Sequence, residues 1–149
     1  MTIQPTLIEG LRAWADGFAA DRAAVELLIT HGAWLSRADF LTRCVDIVPT
    51  EELIDPDTPV AIIDWERVIR YLEGWEGGLP ASSSEVAVLA VAASIGAGHP
   101  VDLRDALLGL DATNTAAVAT ALVTAAQVED RVTVDLKPRQ LPDWLTSDT

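Results

Sequence analysis

Few side chains in this sequence are equipped for chemistry. His31, His99 and Cys44 are its only imidazole and thiol groups. Zinc usually takes three or four such ligands at recognisable spacing, and these three do not supply it. Asp55-Pro56-Asp57 offers oxygen ligands suited to Mg2+ or Ca2+, but no glycine-centred calcium loop follows. Ser82, Ser83 or Ser84 with His99 and Asp102 can be drawn as a triad, which needs a base beside an activated nucleophile. Each member has a plainer role: the serines cap a helix, His99 precedes Pro100 in a turn, and Asp102 caps the next helix. Cys44 falls on an apolar helix face, where a free cysteine acts as a small core residue. His31, beside the helix-ending Gly32, suits a cation near a helix C-terminus. There is no phosphate-cradling glycine loop and no dinucleotide fingerprint. The expectation is a protein with no catalytic residues, no cofactor and no metal.

Charge narrows the partners. The 149 residues carry 23 Asp and Glu against 10 Lys and Arg, a formal charge of -13. Between Arg43 and Arg67 stand Asp46, Glu51, Glu52, Asp55, Asp57, Asp64 and Glu66 with no base among them. From Tyr71 to Asp130 the only base is Arg104. Binding to nucleic acid needs Lys and Arg to neutralise phosphates and release counterions, and no basic stripe is visible. Anionic membrane surfaces are disfavoured for the same reason. An acidic surface keeps a protein soluble and attracts basic protein partners. The acids Glu51, Glu52, Asp55 and Asp57 are therefore candidate partner-binding residues. Trp75, after Gly74, and Trp144, in a proline-flanked tail, are candidate interface anchors. The plainer expectation for Trp144 is that the tail packs it onto its own domain. Trp14, Trp34 and Trp65 lie on apolar helix faces and are expected as core anchors.

The elements that must position these groups are mostly helical. Thr6 and Glu9 form a capping-box pattern after Pro5, with Leu7, Ile8, Leu11 and Trp14 on one face. Asp21 is expected to cap a second helix, with Ala24, Val25, Leu28 and Ile29 inward and Gly32 as its stop. Ser36 and Asp39 resemble another cap, before Phe40, Leu41, Cys44 and Val45 at helical spacing. Thr50 starts a brief helical turn through Glu51 and Glu52, and residues 55–59 form a loop held by two prolines. Val60 to Ile63 is β-branched and suits a short strand. Asp64 caps an amphipathic helix carrying Trp65, Val68, Ile69 and Leu72.

A connector rich in glycine follows at residues 76–81, a candidate sub-boundary. Ser82 and Glu85 form a further capping box. The helix of about 85–97 is apolar on all faces and is expected at the centre of the fold. Asp102 caps a short helix with Leu103, Ala106 and Leu107; Asp111 caps another with Val118, Ala121, Leu122 and Ala125 on one face. Arg131 to Leu136 alternates in strand fashion. The fold class is mainly α: one compact domain, residues 1–136, of five to seven helices with at most a minor strand pair. Residues 137–149 form an irregular tail.

The order of three helices and a strand in the second half is that of helix-turn-helix and winged-helix modules. The helix in the recognition position, residues 112–126, offers Asn114 and several threonines but no base, so DNA reading is not its use. Degenerate modules of this kind serve as protein docking units.

Leu79-Pro80, Ser82 to Glu85, Ala92-Ala93-Ser94, Pro100-Val101-x-Leu103 and Gly109-Leu110-Asp111-x-x-Asn114 together resemble a pattern in small hypothetical proteins of actinobacteria. Ala24-Val25-x-Leu27-Leu28, His31-Gly32-x-Trp34-Leu35 and Asp39-Phe40 extend the likeness over most of the chain. That family has no established activity. The resemblance implies a source and a shared fold and carries no catalytic residues.

The longest apolar run, Val86 to Gly98 and broken only by Ser94, is shorter than the roughly 20 residues a membrane span needs. The N-terminus lacks a basic start and apolar core, and one cysteine makes no internal disulfide, so a cytoplasmic protein is expected. The expected function is non-enzymatic: a small acidic adaptor or regulatory protein acting through a protein interface. Two other classes follow from the same residues. One is a polyanion mimic of phage or mobile-element origin, which needs acids aligned on one face. The other is a small enzyme or ligand binder, which needs a concave pocket holding His31 or His99 beside a carboxylate.

Overall fold

Side-chain caps and left-handed glycines set most of the helix boundaries. The structure, a computed structural model, describes residues 2–74 and 77–146. Asp64, Ser82, Asp102 and Asp111 each accept a hydrogen bond from the backbone N–H three residues on, at 2.8–3.3 Å. They open α4 (Trp65–Leu72), α5 (Ser83–Ala97), α6 (Leu103–Leu108) and α7 (Ala112–Ala125). Glu85 returns a bond to the Ser82 N–H at 3.1 Å, completing the capping box. Gly32 and Gly98, with φ of +80° and +72°, close α2 (Ala19–His31) and α5.

Three expected caps do not form. α1 (Pro5–Ala15) starts at the proline, whose fixed φ already suits the first helical position, and no side chain caps it. α2 starts before Asp21, which sits in its first turn. Ser36 belongs to a 3-10 turn (Trp34–Ser36), and its hydroxyl donates to the Gly32 carbonyl. Asp39 accepts from its neighbour's N–H, that of Phe40, at 2.8 Å within α3 (Ala38–Cys44). In both cases a local backbone group engages the side chain in place of the cap bond.

The strand expected at 60–63 forms as β2 (Ala61–Ile63) and pairs antiparallel with β1 (Val45–Ile47), Val45 opposite Ile63 and Ile47 opposite Ala61. The apolar helical run through Val45 therefore stops at Cys44, because β-branched Val45 gains a cross-strand partner. Residues 131–136 make no strand. They lie beside α2 and α7, where Val134 and Leu136 line a groove with Leu27 and Ala117. A helix surface offers the alternating segment no ladder partner. The tail adds one helical turn, α8 (Asp143–Thr146). The fold is thus mainly helical with one minor strand pair.

The core runs through both halves of the chain. α5 packs on α2, α4, α6 and α7, and α2 packs on α1, α5 and α7, so the two helices share the centre. Ala87, Val88, Leu89, Val91, Ala92 and Ala93 are its buried residues in α5, while Val86 stays exposed. Small residues suit the close packing of α2 on α7: Ala23 and Ala24 are buried in α2, and Ala117, Val118 and Ala121 in α7. Leu122, expected on that inner face, is exposed instead.

Trp34 is 1% exposed and its indole N–H donates to the Glu85 carbonyl at 2.9 Å. Trp14 and Trp65 are half-buried at the edge of the core. Arg37 ties the connector down, donating to the Pro80 carbonyl at 2.6 Å and forking onto Asp39 at 2.6 and 3.0 Å. α6 lies on α5, and α7 on α2 and α5.

Candidate functional site

Of the residues singled out for chemistry, Ser83, His99 and Asp102 line one groove, but Ser83 and His99 stand at opposite ends of α5. Ser83 opens α5 and His99 follows its end, so the helical rise separates them by roughly 20 Å. No hydrogen bond links Ser82, Ser83 or Ser84 to His99 among the described residues, and the drawn triad does not assemble. Ser82 and Ser84 have a nearer use, since the Ser82 hydroxyl caps α5 and lies 3.3 Å from that of Ser84. Asp102 is the α6 cap.

Cys44 is buried, and burial pushes its thiol up to about 12. It is protonated at neutral pH and is a core residue rather than a nucleophile. Burial also lowers His31, whose Nδ1 is sealed from water with no hydrogen-bond partner. Glu85 and Asp111 pull it the other way. No cluster of three or more His, Cys, Asp or Glu side chains suited to a metal occurs among the described residues. No helix among them is long and apolar enough to cross a membrane.

The acidic candidates divide by their local bonding. Both Asp55 carboxylate oxygens are used within the loop, accepting from the Asp57 N–H at 3.0 Å and the Thr58 hydroxyl at 2.9 Å. Asp55 is therefore a turn-forming residue. Glu51 and Glu52 lie in a 3-10 turn (Thr50–Glu52); with Asp57 they point into solvent and have no ion-pair partner among the described residues. Trp75 lies outside the described residues. Trp144 is not packed onto the domain: it is 76% exposed, with Leu141 and Leu145 exposed beside it. One turn of helix and two prolines give the tail too little apolar contact to hold the indole down.

A groove of about 650 Å³ lies between α5 and α6. α6 returns antiparallel to α5, since Gly109 at its end lies against Ser83 and Ser84. Val86, Ala87 and Ala90 form the α5 wall, at helical spacing on one face. His99, Asp102 and Asp105 stand at the other side. A histidine and carboxylates thus share a groove, as a ligand-binding reading requires. No hydrogen bond joins His99 to either acid among the described residues, so the pairing that would orient a catalytic base is missing.

What the sequence reading missed is how little of α6 is buried. Only Ala106 is covered, while Leu103, Leu107 and Leu108 are 50%, 46% and 81% exposed. The spacing of Leu103 and Leu107 signals an amphipathic helix but does not say whether anything covers its face. Comparison with known proteins adds no relative: no family model, no curated protein and no solved structure matches the chain.

Proposed function

We propose that this chain is a small acidic, non-enzymatic adaptor or regulatory protein, and that it docks a basic amphipathic helix of a partner protein in the α5–α6 groove. The observation that carries the reading is two large apolar side chains, Val86 and Leu108, left in solvent in the lining of one acid-rimmed groove, with Leu103 and Leu107 exposed on the same short helix α6. Exposed apolar clusters with polar rims are a common mark of protein contact. A partner helix with apolar residues at i, i+3, i+4 and i+7 would cover them. Charge selects the sign of that helix: Asp102 and Asp105 border the groove and the chain carries -13 overall. Glu51, Glu52 and Asp57 add long-range attraction, and exposed Trp144 is a second anchor. An intracellular setting belongs to the same reading, supported by the lone, buried Cys44.

The test is fluorescence anisotropy with a labelled Leu/Lys amphipathic peptide, its scrambled form and a Leu/Glu counterpart. Saturable binding of the first alone, weakened by salt, is expected. Val86→Asp with Leu108→Asp should abolish it, while Glu51→Gln, Glu52→Gln and Asp57→Asn together should only flatten the salt dependence. Equal binding of the scrambled peptide, or binding indifferent to the Val86 and Leu108 changes, would refute the groove.

A further inference from the structure

The two bases that bracket the acidic stretch, Arg43 and Arg67, are far apart in sequence and adjacent in space. The antiparallel pairing of β1 with β2 folds the loop between them outward, bringing the end of α3 beside the start of α4. The Arg67 guanidinium donates to the Arg43 carbonyl at 3.2 Å. Arg70, one turn further along α4, joins them. With Thr42 and Tyr71 these three arginines line an open notch of about 380 Å³.

From these features we infer that the notch is a binding site for a phosphomonoester group. Three guanidiniums face two paired carboxylates, because Asp64 lies 3.4 Å from Arg67 and Glu66 lies 3.0 Å from Arg70. Arg43 instead stacks on the Tyr71 ring, its guanidinium carbon 5.5 Å from the ring centre. Among the described residues one guanidinium of the three thus has no ion-pair partner, in a chain whose formal charge is -13. The bond from Arg67 also occupies a carbonyl at the α3 C-terminus, whose partial negative charge would otherwise oppose an anion.

The Arg70–Glu66 pair is solvent-exposed on both sides, and such pairs contribute little. A dianion can draw Arg70 away from it at small cost. Guanidinium forks bind phosphate oxygens two at a time, which a chloride or a single carboxylate exploits less well. The notch is larger than a phosphate, so it has room for the atoms that carry the ester. A nucleic-acid backbone is a poor fit, because one surplus charge does not neutralise a run of phosphates.

The test follows the arginine side-chain Nε–H resonances by NMR while inorganic phosphate, phenyl phosphate or acetate is added at constant ionic strength. Saturable shifts at Arg43, Arg67 and Arg70 are expected with both phosphates, and tighter binding of phenyl phosphate would identify an ester rather than free phosphate as the fit. Arg43→Ala and Arg70→Ala should each weaken binding roughly tenfold. Arg104→Ala, away from the notch, should not. All three exchanged side chains are exposed, and circular dichroism verifies that each variant is folded. The inference is overturned by shifts that never saturate, by acetate acting as strongly as phosphate, or by Arg43→Ala responding like the wild type.

Discussion

Replacing Gly96 by alanine tests the packing of α4 on α5. In an exposed helix the exchange stabilises by about 1 kcal/mol, because glycine has more backbone freedom to lose. Here a Cβ at position 96 would stand 2.6 Å from Cζ2 and 2.7 Å from Cε2 of Trp65. Carbon atoms rest at about 3.5–4.0 Å, so the overlap is close to 1 Å. The indole is a rigid plate packed against the core, and it cannot bend its far end away as a lysine would. Overpacking of this kind costs about 1–3 kcal/mol, and an overlap of this size belongs in the upper half of that range. After the helix gain is subtracted, Gly96→Ala should destabilise by about 1–2 kcal/mol. At about 2–4 °C per kcal/mol for a chain of this length, the melting temperature should fall by roughly 2–8 °C. Calorimetry and circular dichroism measure the fall. In a Trp65→Leu background the obstacle is gone, and the same exchange should raise the melting temperature. A single variant that melts at or above the wild type would refute the reasoning, as would an identical loss in both backgrounds.

Three further outcomes follow from the same structure. Leu89 is 2% exposed in α5, so Leu89→Asp buries an unpaired charge and should leave the domain unfolded, while Leu89→Ala should cost about 2–5 kcal/mol; a cooperative melt of Leu89→Asp near that of the wild type would show that α5 is not central. The Arg37 side chain is 16% exposed and holds Asp39 and the Pro80 carbonyl at once, so Arg37→Ala should cost about 2–3 kcal/mol in urea unfolding. Arg37→Lys should recover little of it, since an ammonium lacks the fork; a lysine variant at full stability would remove that explanation. His31 is lowered by burial, so as pH falls the unfolded chain binds its proton first. The stability from neutral His31 is complete above pH ~6.5 and is lost as pH drops toward the depressed folded value. Asp39, lowered mainly by Arg37, and Glu85, lowered mainly by the Ser82 N–H, act below that window: their stability is present above the ordinary carboxylate range and lost as pH falls through their folded values. His31→Gln should therefore flatten the upper part of the urea-midpoint curve and spare the acid limb; an unchanged upper part would exclude burial of His31 as its cause.

Local chemistry was legible in the sequence wherever one residue and its near neighbours sufficed. Asp64, Ser82, Asp102 and Asp111 cap the helices they precede, Gly32 stops α2, and Val60–Ile63 contains a strand. Each depends on hydrogen bonds or dihedral freedom within about four residues, which the order of amino acids specifies directly. Misreadings began where two local options compete. Thr6, Asp21 and Ser36 have the side chains of caps, yet the bonds actually made start α1 and α2 earlier and turn Ser36 back onto Gly32.

The site was less legible, for a different reason. Composition established the acidity, and with it the sign of any partner. Which apolar residues are covered is a property of what packs beside them. Leu107 and Leu122 occupy helix faces that look inward-facing in the sequence, and both are exposed because no neighbouring element reaches them. Residues 131–136 alternate like a strand and find only helices alongside. The gathering of Arg43, Arg67 and Arg70 depends on the β1–β2 register, a pairing across a loop whose closure no local signal encodes. The sequence by itself thus determined the helices, their ends and the overall charge, because those follow from short-range bonding and counting. Only the tertiary structure decided which faces stay open and which charges meet, because burial and proximity arise from contacts between segments far apart along the chain.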